Sequence, residues 1–178
     1  MSAFCYSAHW EVIFVERIID VSQYIYDEYK KQSGETIDEM KLHKLLYLAQ
    51  RESLAITGEP LFEEVLEGWK FGPVSREVRT HYTENGINYK GLRKLSPQSE
   101  YIVKNVILQY GFLVSWKLSN ISHNEISWKN SREGLLEGEN GDRPLRIDDI
   151  RKDAEKIRPY DSIYDMYYDE FEDAEVVQ

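Results

Sequence analysis

The longest regular pattern of apolar side chains in this chain runs from Thr36 to Gly58. Apolar residues recur there every three or four positions, as on one face of a helix, and the stretch from Leu45 to Ala49 contains no charged residue. A helix that is apolar nearly all round is usually covered from more than one side. Thr36 and Glu39 have the spacing of a capping box, and Gly58 is the residue type that most easily forms the left-handed turn after a helix. We therefore predict a central buried helix over about 36–58.

Shorter helical patterns flank this segment. A first helix is predicted from Trp10 to about Tyr29, and others over 73–86, 97–110, 115–121 and 147–157. The helix over 97–110 has the clearest start, because Ser96 is a capping residue and a proline follows it at the first helical position. A further helix carries Trp128, and Ser122 or Asn124 is its expected cap.

The stretch 65–71 has a different pattern. VLEGWKF alternates and is rich in residues that favour strands, so it is predicted to be a short strand, paired in a small hairpin, or an extended segment. Gly72-Pro73 is predicted to end it, with Pro73 in the first turn of the next helix. The expected fold class is mainly α: a compact helical domain around the central helix, with at most a small β element near 65–71.

Charge divides the chain into two parts. Its 178 residues fit one domain with a real core, and its net charge is −10. From Asp161 onward there are seven acids and no Lys or Arg, so the rest is nearly neutral. We predict a helical domain over 1–158 and an acidic aromatic tail over 159–178. Tyr164, Tyr167 and Phe171 recur in the tail at helical spacing, which predicts an amphipathic helix that docks on its own domain or binds a basic partner.

The same composition argues against several classes of protein. A single cysteine, Cys5, rules out an internal disulfide, and the four histidines lack the spacing of metal ligands. His123 and Glu125 have the H-x-E spacing of zinc deaminases, but no P-C-x-x-C follows. No apolar run approaches about 20 residues, the amino terminus is unlike a signal peptide, and no basic cluster favours duplex DNA. We expect a cytoplasmic protein that is not an enzyme, with no cofactor, metal, membrane association or direct DNA binding; the sequence carries no signal for an oligomeric state.

Three motifs occur in order along the chain. They are MKLHKLLYLAQ at 40–50, GEPLF at 58–62 followed by EGWKFGPV at 67–74, and ISHNE at 121–125 followed by Trp128, Lys129 and Arg132. Together they resemble the signatures of the Panacea domain, which is found in antitoxins of toxin–antitoxin pairs and in phage-associated GepA-like proteins. His43 stands where that family usually has Gln, and Gly68 where a small residue such as Ala is common. The resemblance covers roughly 14–150 and leaves out the tail.

The resemblance implies an antitoxin that binds and neutralises a cognate protein toxin. Some relatives are thought instead to deliver the toxin to a protease. A phage or mobile-element protein that binds another host factor is the alternative, and an enzyme with an unrecognised site is less expected.

Candidate partner-binding residues are aromatic residues and arginines, because Trp, Tyr and Arg concentrate the binding energy of protein interfaces. Those selected are Trp69, Phe71, Arg76 and Arg79, with Tyr164, Tyr167 and Phe171 in the tail. The alternative is that the motif aromatics pack in the core and that the arginines form a solvated face. His123 is expected to cap a helix or to form a buried hydrogen bond. A second set is expected to shape the domain: Lys41, Leu45, Tyr47, Gln50, Gly72, Pro73, His123 and Trp128.

Overall fold

A computed structural model of the protein describes residues 15–136 and 138–157. In chain order, the elements in these ranges are α1 (Ile18–Ser33), α2 (Glu39–Thr57), β1 (Glu67–Trp69), β2 (Gly72–Val74), α3 (Arg76–His81), β3 (Tyr82–Thr83), β4 (Gly86–Ile87), α4 (Pro97–Tyr110), α5 (Ser115–Asn124), α6 (Ile126–Ser131) and α7 (Ile147–Ala154). The part of the first predicted helix that includes Trp10 lies outside the described residues. The predicted continuous helix through residues 15–17 is wrong, because Glu16 forms an isolated β-bridge with Phe62 and Arg17 is extended, so α1 begins only at Ile18. The acidic tail also lies outside them, so its helix and the boundary near 158 stay predictions.

Helix α2 lies at the centre of the molecule. It is contacted by α1, α4, α5, α7 and β2, and every residue from Lys41 to Leu54 is buried. Burying one leucine side chain stabilises the folded state by about 2 kcal/mol, and Leu42, Leu45 and Leu46 are fully enclosed. The predicted central helix is confirmed, and so is a fold class that is mainly α.

The two ends of α2 differ in how well they were predicted. Gly58 ends the helix with φ +75°, and its N–H donates to the Leu54 carbonyl, as expected. The capping box at Thr36 is wrong, because the cap is Asp38, whose carboxylate accepts a hydrogen bond from the Lys41 N–H at 2.8 Å. A carboxylate at this position satisfies a free N–H and also interacts favourably with the positive end of the helix dipole.

Strands β1 and β2 form an antiparallel hairpin that turns at Lys70 and Phe71. Glu67 lies opposite Val74, and the strand predicted near 65–71 is therefore confirmed in its hairpin form. The prediction that Pro73 begins a helix is wrong, because Pro73 lies within β2. Helix α3 begins only at residue 76, where the preceding serine hydroxyl caps it by accepting the Val78 N–H at 3.3 Å.

A second, shorter hairpin follows α3. The helix predicted over 73–86 ends at His81, and β3 pairs with β4. The turn is stabilised by Thr83, whose hydroxyl donates to the Gly86 carbonyl at 2.8 Å. Gly86 has φ +125°, a conformation that other residues rarely adopt. The chain therefore reverses here where the apolar pattern alone predicted a longer helix.

Helix α4 is capped by a neighbouring residue, whereas α6 is capped by a residue that is distant in the chain. Helix α4 begins as predicted, with the Ser96 hydroxyl accepting the Ser99 N–H at 3.2 Å. Neither predicted cap of the helix that carries Trp128 is used. The Asp153 carboxylate of α7 instead accepts the N–H groups of Ile126 and Ser127 at 2.7 and 2.9 Å. Helix α7 ends at residue 154, earlier than the predicted 157.

Candidate partner-binding surface

The β1–β2 hairpin is held in place through its carbonyl oxygens. The Lys44 ammonium of α2 donates to the Pro73 carbonyl at 3.1 Å. The Trp128 indole N–H of α6 donates to the Trp69 carbonyl at 2.9 Å. Since these side chains come from different sequence motifs, the fold brings all three motifs together at this hairpin. Pro73 and Trp128 thus contribute to the contacts that hold the hairpin against α2 and α6.

Gly72 allows the hairpin to approach α2 and α5 closely. Its φ is +108°, and a Cβ atom would lie 2.6 Å from both Lys44 Cε and Ser122 Oγ. Any side chain here would strain the backbone and also collide with its neighbours. Glycine is therefore required by conformation and by space.

Lys44 is a lysine buried in the core without a bound carboxylate. Its side chain is 1% exposed and has one hydrogen-bond acceptor, the Pro73 carbonyl. Burial lowers the pKa of Lys44 to about 7, although the charge of Asp38 acts in the opposite direction. The Lys44 side chain is therefore close to half protonated at neutral pH.

His43 is a neutral imidazole beside this lysine. Burial lowers the pKa of His43 to about 3, and the charges of Lys44 and Arg79 add to that effect. Its Nδ1 accepts the Ser75 N–H at 3.4 Å. In a neutral imidazole the other nitrogen then carries the proton. This Nε2 lies 3.6 Å from Glu39 Oε1 and has no hydrogen-bond partner within residues 15–136 and 138–157.

Trp69, Arg76 and Arg79 form one ordered group on the hairpin and α3. Glu67 accepts hydrogen bonds from the Trp69 indole at 2.8 Å and from the Arg76 guanidinium at 2.6 Å. The guanidinium carbon of Arg79 lies 4.9 Å from the centre of the Trp69 ring, and that of Arg76 lies 5.7 Å from it. Cation–π contacts at this distance contribute roughly 0.5–1 kcal/mol at exposed sites. The structure thus brings these predicted residues together as a preordered, partly exposed surface.

Phe71 is the exposed apolar residue of the hairpin turn. It is 56% exposed, and the Lys70 ammonium lies 5.1 Å from its ring centre. Both residues line two cavities, of about 320 Å³ and about 600 Å³. The smaller cavity is also lined by Glu39, His43, Lys44, Trp69 and Arg79. The larger one is also lined by His123, Trp128, Lys129 and Arg132. An exposed phenylalanine between two cavities is a suitable anchor for a partner protein.

Four residues of α2 that were predicted to shape the domain are buried in it. Leu45 is fully buried in the core. Lys41 Nζ donates to the Tyr29 hydroxyl and to the Gly111 carbonyl at 3.0 and 3.1 Å. The Tyr47 hydroxyl donates to Asp153 at 3.2 Å. The Gln50 side chain hydrogen-bonds the main chain at residues 61 and 62 through both its oxygen and its nitrogen. These side chains either pack in the core or form hydrogen bonds within the protein.

A buried ion cluster around Arg51 has no counterpart in the sequence predictions. Its guanidinium contacts Glu125 at 2.6 Å, Glu52 at 3.2 Å and the Tyr110 hydroxyl at 3.0 Å. Burial raises the pKa of Glu125, and a hydrogen bond with Asp153 acts in the same direction. The local sequence signal for this cluster is the adjacent charged pair Arg51 and Glu52 in the largely apolar helix α2. Glu125, the other carboxylate that Arg51 contacts, lies 74 residues after Arg51 in the chain.

His123 lies beside Trp128 and the hairpin turn, and it is hydrogen-bonded to the main chain of Lys70. It lies in the last turn of α5, and its ring stacks on Trp128 with 4.0 Å between centroids. Burial lowers the pKa of His123, with further effects from Lys44 and Arg132. Its Nε2 has no hydrogen-bond partner among the described residues. His123 is therefore mainly a packing partner of Trp128 and one wall of the larger cavity.

Three predicted partner-binding residues, Tyr164, Tyr167 and Phe171, lie outside the described residues. In the part of the chain that the structure describes, no three His, Cys, Asp or Glu side chains are grouped as metal ligands. The helices described there are too short or too polar to cross a membrane.

Comparison with known proteins assigns the region that contains this surface to a family. Residues 42–129 match the family described as Antitoxin SocA-like, Panacea domain. The curated Antitoxin SocA of Caulobacter vibrioides (strain NA1000 / CB15N) is 42% identical over 53 residues, which are 30% of this chain and 28% of that protein. The matched part is thus less than a third of that relative's length. No solved structure gives a significant match.

Residues 42–129, just under half of the chain, are therefore similar to the Panacea domain of SocA-like antitoxins. The matched segment contains α2 from Leu42 onward, the hairpin, α5, and α6 as far as Lys129.

Proposed function

We propose that this protein is an antitoxin that neutralises a cognate protein toxin by binding it directly. The supporting observation is that the family match includes the Phe71 hairpin, its supporting side chains and most of the lining of both cavities. The lining residues outside the match are Glu39, Met40, Arg132 and the loop after Arg132. The antitoxin role comes from the family; the position of the binding surface comes from the geometry.

The energetic argument for this surface is preorganisation. Trp69 and Arg76 are fixed by Glu67, so little side-chain freedom remains to be lost when a partner binds. Phe71 is exposed in the free protein, and burying it against a partner removes apolar surface from water. Truncation of such an anchor to alanine typically weakens a complex by about 2 kcal/mol or more, or roughly 30-fold in Kd.

We also propose that the protein acts by binding and not by catalysis. The most perturbed buried groups, Lys44 and His43, are a structural donor and a structural acceptor for the hairpin region. Glu125 is engaged by Arg51 inside the core. A catalytic role would require one of these groups to reach a substrate. Lys44 and Glu125 are each engaged within the fold, and His43 is held there through its Nδ1.

The test is a growth assay in bacteria. Genes next to the one that encodes this chain are expressed singly, and any that stops growth is co-expressed with this chain. The proposal expects growth to be restored and the two proteins to be purified as a complex. It is rejected if no neighbouring gene is toxic or if the chain does not restore growth.

A matched pair of variants places the binding surface. Phe71→Ala is expected to weaken the complex by roughly 30-fold in Kd. Phe112→Ala serves as the control, because Phe112 is 78% exposed and lines a different cavity. That cavity shares no lining residue with the two cavities beside Phe71. Equal losses in both variants contradict the assignment of the surface. Toxin abundance measured during rescue separates occlusion, which leaves it unchanged, from delivery to a protease, which lowers it.

A further inference from the structure

The surface around Phe71 carries an excess of positive charge in an acidic protein. We call it the Phe71 surface and define it by Lys44, Lys70, Phe71, Arg79, Lys129 and Arg132, which line the two cavities. The chain as a whole has a net charge of −10. A local patch of opposite sign on such a chain attracts ligands that the rest of the molecule repels.

Most of these cations are bound to main-chain oxygens. Lys129 Nζ donates to the Asn124 carbonyl at 2.8 Å, and Arg132 donates to the carbonyls of Gly68 and Glu139. Within the described ranges, Lys70, Lys129 and Arg132 form no ion pair with a carboxylate. A carbonyl oxygen orients a cation without cancelling its charge, so the positive potential of the patch remains available.

The smaller cavity also contains a buried proton donor that has no acceptor in the part of the chain that the structure describes. His43 is 2% exposed and lines this cavity. Its Nδ1 is occupied by the Ser75 N–H, so Nε2 carries the proton. The nearest carboxylate oxygen, on Glu39, is 3.6 Å away, which is too long for a hydrogen bond. Arg79 lies 3.9 Å from the same oxygen, so this one carboxylate is shared weakly between two donors.

We propose that the Phe71 surface binds an acidic segment of the partner protein. A carboxylate of that segment enters the smaller cavity and accepts hydrogen bonds from His43 Nε2 and from the Arg79 guanidinium. An apolar side chain of the segment packs on Phe71, and further acids face Lys70 and Lys129. The proposal rests on the proposed function for the existence of a partner protein; the cavities and their charges specify its chemistry.

Nucleic acid fits the same surface less well. Its phosphates would meet the cations, but a net charge of −10 repels a long polyanion before it reaches the patch. Glu39, Glu67 and Asp142 also lie beside the arginines of α3. A short acidic peptide with an apolar anchor matches the mixture of cations and exposed phenylalanine.

The direct test is peptide binding measured by fluorescence anisotropy with the full chain. The probe is a labelled peptide of about ten residues that contains Asp, Glu and two Phe; its counterpart has Lys in place of every acid. The acidic probe is expected to bind, and to bind more weakly as salt rises from about 50 to about 500 mM, because salt screens exposed charges. The lysine counterpart is expected not to bind.

Charge-reversal variants place the probe on the surface. Lys70→Glu with Lys129→Glu is expected to weaken binding of the acidic probe at least roughly tenfold. Lys70→Gln with Lys129→Gln, a milder pair, is expected to weaken it less. The matched control is Lys30→Glu with Lys90→Glu, two exposed lysines that line neither cavity. It should leave the affinity within about twofold, and a thermal melt of each variant checks that it is folded.

Several results overturn the proposal. They are no binding of the acidic probe, equal binding of the lysine counterpart, equal loss in the control pair, and equal or tighter binding of a single-stranded oligothymidine. Binding only when the chain is shortened to end at residue 158 also overturns it, because the chain's own acidic tail would then be the occupant.

The growth assay separates this proposal from the proposed function. Loss of rescue with Phe71→Ala but full rescue with Lys70→Glu and Lys129→Glu means that the antitoxin role stands and the acidic partner segment is wrong. If no neighbouring gene is toxic while the acidic probe binds as expected, the antitoxin role fails and the acid-binding surface stands.

Discussion

Replacing Lys44 with methionine is a direct test of how the core tolerates charge. Methionine has a similar length and no charge, and it removes one hydrogen bond to the Pro73 carbonyl. The Lys44 side chain is 1% exposed, and burial lowers its pKa from 10.5 to about 7. We therefore expect the variant Lys44→Met to be more stable than the parent at pH 7. In the parent, protonation of Lys44 stabilises the unfolded state more than the folded state, because the pKa of Lys44 is higher in the unfolded state.

The magnitude follows from the two pKa values. A group whose folded pKa lies below its unfolded pKa destabilises the protein fully at low pH, and this effect fades as the pH rises from about 7 towards 10.5. At pH 7 the destabilisation by Lys44 is roughly 4 kcal/mol. The lost hydrogen bond offsets about 1 kcal/mol of the gain, so Lys44→Met should gain about 3 kcal/mol. Between pH 7 and 9 the advantage of the variant should shrink by about 2 kcal/mol.

The assay is urea denaturation followed by tryptophan fluorescence at several pH values from about 7 to 9. The quantity of interest is the difference in unfolding free energy between variant and parent, because the contributions of all other titrating groups cancel in it. Lys30→Met, at an exposed lysine, is the control and should show no such pH dependence. If the difference for Lys44→Met is constant with pH, or if the variant is less stable at every pH, the assignment of a depressed pKa is wrong.

Three further predictions concern the backbone, the ion cluster and the helix cap. Gly72→Ala should lose more than about 2 kcal/mol, because it combines φ +108° with a collision, whereas Gly34→Ala, with φ +75° and open space, should lose about 1 kcal/mol; melting of both variants compares them. Arg51→Met should lose about 3–5 kcal/mol by leaving two buried carboxylates without a cation, and a smaller loss in urea denaturation contradicts this. Asp38→Ala should lose about 1 kcal/mol while Thr36→Ala loses almost none, as measured by thermal melting; the reverse order would restore the capping box.

The elements that sequence patterns predicted well are those whose causes are local. Helix α2 has an uninterrupted apolar face, and α4 has a serine cap with proline at its first position. Both signals lie within a few residues of the element that they define. The hairpin near 65–71 was predicted as one of two alternatives, because a short alternating stretch does not reveal whether a partner strand follows.

The errors arise where a local signal has two meanings or where the deciding partner is distant. Gly72-Pro73 also suits a helix start, but the close approach of the hairpin to Lys44 uses it within a strand. Helix α6 begins without a local cap, because the Asp153 carboxylate of α7 accepts the N–H of Ile126, which lies 27 residues earlier in the chain. The buried charges of α2 were missed because apolar periodicity does not show which cations find acceptors inside the fold.

The candidate surface was predicted in part. Trp69, Phe71, Arg76 and Arg79 were selected from composition and motif, and the structure brings them together around one hairpin. The cation-lined cavities could not be predicted, because their walls come from segments far apart in the chain, from Glu39 to Asn140 in the smaller cavity and from Lys70 to Gly138 in the larger one. His43 was noticed only as a departure from the family pattern.

The bond between Tyr47 and Asp153 has a consequence for how the protein is made. These residues are 106 positions apart. At a synthesis rate of about 5–20 residues per second, the ribosome completes the second residue roughly 5–20 s after the first. During that interval the nascent chain carries α2, the longest of the described helices, without the element that covers one of its sides. A message truncated before the codon for residue 153 would yield a chain that exposes this helix to chaperones and proteases from the moment of release.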